Sequence, residues 1–216
     1  MKKILLIILA IILLSFVVAF YFYPIMPGIM ASHWDINGHV NGYMSKAWAL
    51  FFTPSISLFI LLLWLLIPTI DPLRDNIRRF RKYFDGFILL MVLFIFYLFS
   101  LTIIWNLGFV FDMAYALIPA LAAIFYFAGI LTENAKRNWF IGIRTPWTLS
   151  SDKVWEKTNT RGGLLFKIIG ILVLLGLLSP RHLFAIFFLP MMIAVIYLVV
   201  YSYFEYKKET KKGSTT

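Results

Sequence analysis

The sequence has no cysteine among its 216 residues, which excludes disulfide bridges and thiolate chemistry. It also has few charges, since Asp, Glu, Lys and Arg make up 14% of the chain against about 25% in soluble domains. Hydrophobic residues make up 62%, and the mean hydropathy is +0.87. A soluble globule cannot cover itself with so few charges, and so apolar a chain is neither disordered nor a secreted disulfide scaffold. The composition indicates an integral membrane protein.

Six apolar runs approach the roughly 20 residues that a helix needs to cross about 30 Å of hydrocarbon. The runs are Ile4–Tyr23, Ala47–Ile67, Phe87–Trp105, Ala114–Leu131, Leu164–Leu178 and Leu183–Phe204. The fifth run is short and has Lys167 near its start. The second, fourth and sixth runs contain Pro54, Pro119 and Pro190, which membrane helices tolerate. The sequence therefore predicts an all-α polytopic membrane helix bundle with about six transmembrane helices.

Basic residues are distributed unequally between the two sides of this bundle. If Lys2 and Lys3 lie inside, 18 of the 20 Lys and Arg residues lie inside, and only Lys46 and Arg181 lie outside. The positive-inside rule then predicts a multi-pass cell-membrane protein with both termini cytoplasmic. The inside charges would lie near anionic headgroups of the lipid bilayer. The basic excess is thus explained without direct binding of nucleic acid.

The first 23 residues have a second interpretation as a cleaved signal peptide, because two lysines precede the apolar run. The run is long for such a leader, and no small-x-small cleavage site stands out. We therefore expect a retained first span. The predicted parts are a two-span unit 1–67 with extracellular loop 24–46, a basic cytoplasmic loop and third span 68–113, a core 114–206 with cytoplasmic loop 133–163, and a basic cytoplasmic tail 207–216.

The outer loop contains two Asn-Gly pairs, at residues 37–38 and 41–42. Both residue types tolerate positive φ, so each pair is a tight-turn signal. The loop is predicted to form a small hairpin or ordered cap on the membrane surface. Trp34 and Tyr43 are expected at headgroup depth, where amphipathic aromatic rings concentrate.

Three polar residues of the same loop, His33, Asp35 and His39, have two interpretations. Imidazole and carboxylate groups are suitable metal ligands. The alternative is that they are polar loop residues that form hydrogen bonds within the turns. No fourth ligand is evident in the sequence, so we predict no metal site.

The inner loop 133–163 has the signals of an amphipathic cytoplasmic helix. Ser151 or Ser150 can cap its start, and Asp152 in the first turn complements the helix dipole. Gly162 and Gly163 are predicted to end this helix before the fifth span. One face of the helix, expected to lie against the bilayer or the bundle, carries Val154, Trp155 and Thr158.

Arg144 lies in a tight stretch, residues 142–146, before that helix. A guanidinium group can bind a phosphate or carboxylate of a lipid headgroup or partner protein. Alternatively, it pairs with an acid of this loop or snorkels to the interface. The candidate acids are Glu133, Asp152 and Glu156.

The sequence contains no nucleophile–base constellation, Gly-rich phosphate loop or paired carboxylates, so we predict neither enzymatic activity nor a cofactor. The acids nearest the predicted spans, Asp112 and Glu133, lie at span edges. The apparent lack of acids within the membrane disfavours a proton-coupled carrier.

Two stretches of the chain resemble the SdpI family of multi-pass membrane proteins. The outer stretch is similar to a domain of unknown function that commonly precedes the family core, and the inner one is similar to the family signature. Departures from the family pattern are Asp35, where Asn is frequent, and Asn159, where His is frequent. The outer stretch that carries the likeness runs through Met26, Pro27, His33, Trp34, Asp35, Gly38, Gly42 and Lys46. The matching inner residues are Asn138, Gly142, Ile143, Arg144, Thr145, Pro146, Trp147, Thr148, Leu149, Ser150, Ser151, Val154, Trp155, Thr158, Arg161, Gly162 and Gly163.

The resemblance implies a non-enzymatic protein of immunity or signalling. The founding member protects its producer from a secreted toxic peptide and is thought to sequester a transcriptional repressor at the membrane. It implies a possible peptide toxin at the outer loop and a possible repressor at the inner one. The implied ligand or partner residues are His33, Trp34, Asp35 and Lys46 outside, and Asn138, Gly142, Arg144, Thr145, Pro146, Trp147, Trp155 and Arg161 inside.

Two functions of other classes also remain open. The first is a small membrane transporter or lipid-interacting protein without an immunity role, which the prolines within spans and the Arg144-Thr145 pair suggest. The second is a structural membrane scaffold with no ligand.

Overall fold

A computed structural model describes residues 2–35 and 37–213. The helices are α1 (Lys2–Phe22), α2 (Lys46–Ile70), α3 (Arg74–Arg79), α4 (Arg81–Asn106), α5 (Met113–Asn134), α6 (Pro146–Ser150), α7 (Asp152–Val173) and α8 (Leu183–Gly213). Two strands, β1 (Ile29–Trp34) and β2 (Val40–Ser45), lie between α1 and α2. Two short 3₁₀ helices, Leu174–Leu177 and Pro180–His182, connect α7 to α8.

Within the described residues, six helices are long and apolar enough to cross a membrane. They are α1, α2, α4, α5, α7 with its 3₁₀ extension, and α8. The expected membrane bundle is confirmed, and Pro54, Pro119 and Pro190 lie inside α2, α5 and α8. Many large apolar side chains remain exposed on the outside of the bundle, as expected where lipid is the solvent.

The turns between helices gather at two ends of the bundle. At the first, called the hairpin end, lie the strands and the connections from α4 to α5 and from α7 to α8. At the second, called the signature end, lie α3, α6 and the residues between α5 and α7. The prediction that the signature end faces the cytoplasm rests on the charge count.

Helices α5 and α7 approach closely because both have glycine at their contact. A Cβ on Gly163 would lie 2.6 Å from the carbonyl oxygen of Gly129, and one on Gly170 would lie 2.8 Å from that of Ala122. Small residues are enriched at helix contacts in membranes because they let backbones come together. Lys167 of α7 also pairs with Glu133 of α5, Nζ to Oε2 at 2.6 Å.

The predicted break at Gly162 and Gly163 is wrong. Helix α7 begins at Asp152 with Ser151 as its N-cap, as expected, but runs without interruption to Val173. Both glycines are buried inside it, because α5 and the side chain of Ile143 occupy the space that larger side chains would need. The amphipathic segment is therefore continuous with the helix of the fifth span, and Arg161 lies mid-helix.

The loop after α1 forms an antiparallel hairpin, as predicted. The turn contains Asn37 and Gly38, and Gly38 has φ of +80°. The second Asn-Gly pair does not form a turn, because Asn41 and Gly42 lie within β2. Gly42 faces His33 at an irregularity in the strand register, where a Cβ on Gly42 would lie 2.8 Å from His33 Cβ.

The hairpin is fixed to the bundle by one side chain at the end of α4. Asn106 Oδ1 accepts the backbone N–H of Ala31 at 2.8 Å, and Asn106 Nδ2 donates to the Ala31 carbonyl at 2.9 Å. Below this contact, Met26 and Met30 are buried in a cluster with α1, α2 and α4. The hairpin is thus part of the packed structure.

The sequence interpretation named Asp112 and Glu133 as the acids nearest the spans and left out Asp85. Helix α4 begins at Arg81, so Asp85 is in its second turn and is 3% exposed. Its Oδ1 accepts the Trp64 indole N–H at 2.7 Å and the Arg81 Nε–H at 2.5 Å. A buried carboxylate with a cation and a further donor is a satisfied structural ion pair.

Candidate functional site

The residues between α5 and α6, 135–145, form the signature loop, and Asn138 is at its centre. The Asn138 side chain is completely buried. Its Nδ2 donates to the carbonyls of Lys136 and Ile141, and its Oδ1 accepts the N–H groups of Phe140 and Ile141. The Asn138 side-chain amide thus supplies hydrogen bonds to loop backbone groups that have no partner in a helix or sheet.

A second buried amide, Asn159 of α7, holds the far part of the loop. Its Oδ1 accepts the Ile143 N–H at 2.7 Å, and its Nδ2 donates to the Trp155 carbonyl at 3.1 Å. Gly142 lies against it with φ of +105°, where a Cβ would be 2.6 Å from Asn159 Oδ1. Positive φ and lack of space both require glycine at this point.

The indole of Trp155 packs under the signature loop. Its ring is 1% exposed, and its Nε1–H donates to the Ala135 carbonyl at 2.8 Å. Val154 and Thr158 are buried with it, which confirms the predicted buried face of the amphipathic segment.

The loop ends in a capping box that starts α6. Thr145 Oγ1 accepts the Thr148 N–H, and Thr148 Oγ1 accepts the Thr145 N–H. Thr145 Oγ1 also lies 3.0 Å from Ser202 Oγ of α8. Pro146 is exposed at the first position of α6, where its missing N–H costs nothing. Trp147 packs its ring 5.3 Å from that of Tyr203.

The segment after α2 supports the loop through contacts that the sequence interpretation missed. Asp71 is 2% exposed; its Oδ1 accepts the Leu73 N–H, and its Oδ2 accepts the Trp139 N–H at 2.9 Å. Asn76 Nδ2 donates to the Arg137 carbonyl at 2.8 Å. An Asp before a proline at the end of an apolar run is a turn signal, but its partner is 68 residues away.

Arg144 is exposed and points away from these buried groups. Its Nη1 donates to the Trp139 carbonyl at 2.5 Å, and among the described residues no carboxylate lies within ion-pair distance of it. The expected alternative of a pair with a loop acid is wrong for two of its candidates, because Glu133 pairs with Lys167 and Asp152 with Arg137. Glu156, the third candidate, also forms no ion pair with Arg144 in the described part of the chain, so the alternative is wrong for it as well.

Arg144 forms an outward surface with three neighbours, which we call the signature patch. Trp139 is 51% exposed and Phe140 is 37% exposed. The patch therefore combines two cations with two aromatic rings on a backbone that is fixed from below. Its four residues are Lys136, Trp139, Phe140 and Arg144.

Arg161 lies apart from the patch, on the side of α7 that faces α8. Its guanidinium carbon is 5.4 Å from the centre of the Tyr201 ring. On the same side, Lys157 and Lys208 both pair with the buried Glu205. This contact between α7 and α8 is structural.

A polar cleft of about 210 Å³ opens beside the signature loop. It is lined by acids and bases in equal number and has Trp155 as one wall. Arg137 is fixed there, with Nη1 donating to the Leu149 carbonyl and Nε 2.8 Å from Asp152 Oδ1. The charged residues of the cleft are Arg79, Lys136, Arg137, Glu133, Asp152 and Glu156.

The outer candidate residues lie together at the hairpin end. His33 Nδ1 is 2.5 Å from Asn41 Oδ1, and the Trp34 ring packs edge-on against Trp105 at 5.5 Å. Both indole N–H groups are buried without a hydrogen-bond partner among the described residues. Lys46 at the start of α2 has its Nζ 4.6 Å from the Tyr23 ring.

Asp35 closes the turn of the hairpin. Its Oδ1 accepts the backbone N–H groups of His39 at 2.9 Å and Asn37 at 2.8 Å. These bonds, that to His39 first, hold the pKa of the Asp35 carboxyl below its usual value. In the described part of the chain, no three His, Asp or Glu residues lie close enough together to hold a metal ion.

The structure therefore divides the candidates into two groups at opposite ends of the bundle. It brings together the inner residues except Arg161, and it separates them from the outer ones by the length of the helices. Residues 134–202, which include the signature loop, α6, α7 and most of α8, match the SdpI/YfhL protein family.

Further comparisons extend the likeness beyond residues 134–202. Residues 10–58, which include the hairpin, match a domain of unknown function, DUF1648. The chain is 25% identical over 199 residues to Immunity protein SdpI of Bacillus subtilis (strain 168), covering 92% of this chain and 93% of that protein. No solved structure matches the chain. The resemblance expected from the sequence is confirmed.

Proposed function

We propose that this multi-pass membrane protein confers immunity to a secreted peptide toxin and signals toxin presence by holding a transcriptional repressor at the membrane. The observation that carries the proposal is the extent of the likeness to Immunity protein SdpI, 92% of the chain. Because it includes both ends of the bundle, both the hairpin and the signature loop are candidates for shared function.

The hairpin end is the proposed receptor for the toxin. Trp34 offers a half-buried aromatic ring on a hairpin that Asn106 fixes in place. A preformed surface binds a flexible peptide at a lower entropic cost. His33 and Lys46 add polar and positive groups nearby.

The signature patch is the proposed site for the cytoplasmic repressor. No carboxylate of residues 2–35 and 37–213 pairs with Arg144, so its remaining donors can bind an acidic side chain of a partner. Trp139 and Phe140 supply apolar area, and aromatic and Arg residues are enriched in binding hot spots.

The proposal is tested by expressing the chain in cells that lack SdpI-family proteins. The cells are challenged with the toxin against which the founding member of the SdpI family protects. The repressor that the founding member is thought to sequester is labelled with a fluorophore and reports recruitment to the membrane. We expect survival and a membrane-localised signal. Unchanged killing and a diffuse signal, with the protein present in the membrane, would refute the proposal.

Two variants separate the ends of the molecule. Trp34→Ala should lose protection, and Arg144→Ala should lose repressor recruitment. Lys153→Gln is the matched control, because Lys153 is an exposed cation at the signature end outside the patch. If the Arg144→Ala variant recruits the repressor as well as the Lys153→Gln variant does, Arg144 is structural.

A further inference from the structure

A lateral groove of about 420 Å³ lies between α4 and α5, outside both candidate sites. Its walls are almost entirely apolar along its length, from Phe87 to Leu93 on α4 and at Phe127 and Ile130 on α5. Only its end nearest the signature loop is polar, where Lys82 and Tyr83 form the mouth.

The groove has the length of one membrane leaflet. Lys82 and Leu93 are 11 residues apart on α4, so they are separated by about 16 Å along the helix axis. The hydrocarbon core is about 30 Å thick, and each leaflet contributes about half of it. One acyl chain that starts at the mouth would fill the groove to the midplane.

The polar groups at the mouth are available to a ligand. Lys82 is exposed, and no carboxylate of the described chain pairs with it. Its Nζ lies 4.7 Å from the centre of the Tyr83 ring, and the Tyr83 hydroxyl has no hydrogen-bond partner within the described residues. An ammonium group and an adjacent hydroxyl are donors suited to a phosphate.

Gly86 keeps the groove open one turn beyond the mouth. A Cβ placed on Gly86 would meet no heavy atom within 4 Å. No close approach of a neighbouring helix explains this glycine, in contrast to Gly163. A larger side chain at this position would project into the empty volume.

We propose that this groove binds an anionic phospholipid, with the phosphate held by Lys82 and Tyr83 and one acyl chain lying between α4 and α5. Charge complementarity identifies the ligand, because the Lys82 ammonium at the mouth is the only charge among the described residues that line the groove. The predicted orientation places the mouth in the cytoplasmic leaflet, whose surface is negative. The site is independent of toxin immunity.

The test is native mass spectrometry of the full chain released from detergent containing dioleoyl phosphatidylglycerol or dioleoyl phosphatidylcholine in equal amounts. We expect retention of one phosphatidylglycerol with roughly five-fold preference, the factor that one basic residue near an anionic surface carries. Lys82→Gln should remove this preference, and Tyr83→Phe should reduce it. Gly86→Leu should abolish retention of both lipids by filling the groove.

Lys153→Gln is again the matched control, because it removes the same charge at the same end outside the groove. It should keep the preference. Equal retention of the two lipids by the unaltered chain, or equal behaviour of Lys82→Gln and Lys153→Gln, would overturn the proposal. If Gly86→Leu proves misfolded by its thermal transition, the lysine comparison still decides.

Discussion

At the scale of single residues, the signature loop is held by buried side-chain amides instead of regular backbone pairing. Asn138 and Asn159 together satisfy backbone groups of five other loop or helix residues. Each amide is buried, so its removal leaves donors and acceptors without water to replace it. The exposed Arg144 is thus presented on a rigid base.

We expect Asn159→Ala to lower the free energy of unfolding by roughly 1–3 kcal/mol, because the Ile143 N–H loses its acceptor. The measurement is thermal or denaturant unfolding in detergent. Asn134→Ala is the control: its amide bonds only within its own helix and is part-buried, so a smaller effect is expected. Equal losses for the two variants would contradict this account.

The carboxyl of Asp35 provides a pH test of the hairpin. Its folded pKa is lowered, so it contributes stability above the unfolded pKa of about 3.9, and that contribution is lost as pH falls through the lower folded value. The amide chemical shifts of His39 and Asn37 should therefore titrate with a midpoint below about 3.9. A midpoint at or above that value would refute the assignment, and Asp35→Asn should show no such titration.

At the scale of elements, the contact of α5 with α7 depends on the absence of side chains. Gly163→Ala places a Cβ 2.6 Å from a carbonyl oxygen of α5, so the helices must separate. We expect a loss of about 1–3 kcal/mol in the free energy of unfolding, typical of overpacking. The measurement is steric trapping or denaturant unfolding in detergent.

Gly86→Ala is the matched control for this prediction. It makes the same substitution within a membrane helix where no atom lies near the added Cβ. Since alanine favours helix more than glycine does, this variant should be neutral or more stable by up to about 1 kcal/mol. Comparable destabilisation of both variants would show that the close approach is not what makes Gly163 necessary.

The sequence interpretation succeeded where a feature depends on neighbouring residues and failed where it depends on distant ones. Helix starts and turns depend on neighbouring residues, so the Ser151 cap and the turn at Gly38 were predictable. The continuation of α7 through Gly162 depends on packing against distant residues, which local signals do not contain. Asp71 was missed for the same reason, because its partner Trp139 lies in another segment.

At the scale of the whole molecule, the six spans follow from hydropathy, whereas orientation depends on the distribution of 20 basic residues. The chain has no native cysteine, so single cysteines can report accessibility without background. We expect Lys136→Cys to react with an impermeant maleimide only after the cells are opened. His39→Cys, in the exposed hairpin turn, should react in intact cells.

The labelling pattern distinguishes a single orientation of the chain from a mixed or reversed one. Reaction of both cysteines in intact cells would indicate mixed orientation, and reversal of the pattern would refute the charge-based prediction. Lys207→Cys in α8 should behave as Lys136→Cys does, because both positions are at the signature end. Different labelling of these two cysteines would contradict the prediction that two spans lie between them.

The two hydrogen bonds between Asn106 and Ala31 of the hairpin can form only late in assembly. Ala31 is synthesised 75 residues before the side chain that bonds it. The hairpin is therefore synthesised before α4, and the backbone of Ala31 lacks its hydrogen bonds to Asn106 until α4 has been made and inserted. An isolated two-stranded hairpin is only marginally stable in water. Seating of the hairpin is thus a late step in biogenesis, and a chain truncated before α4 would expose the Ala31 backbone that the finished protein covers.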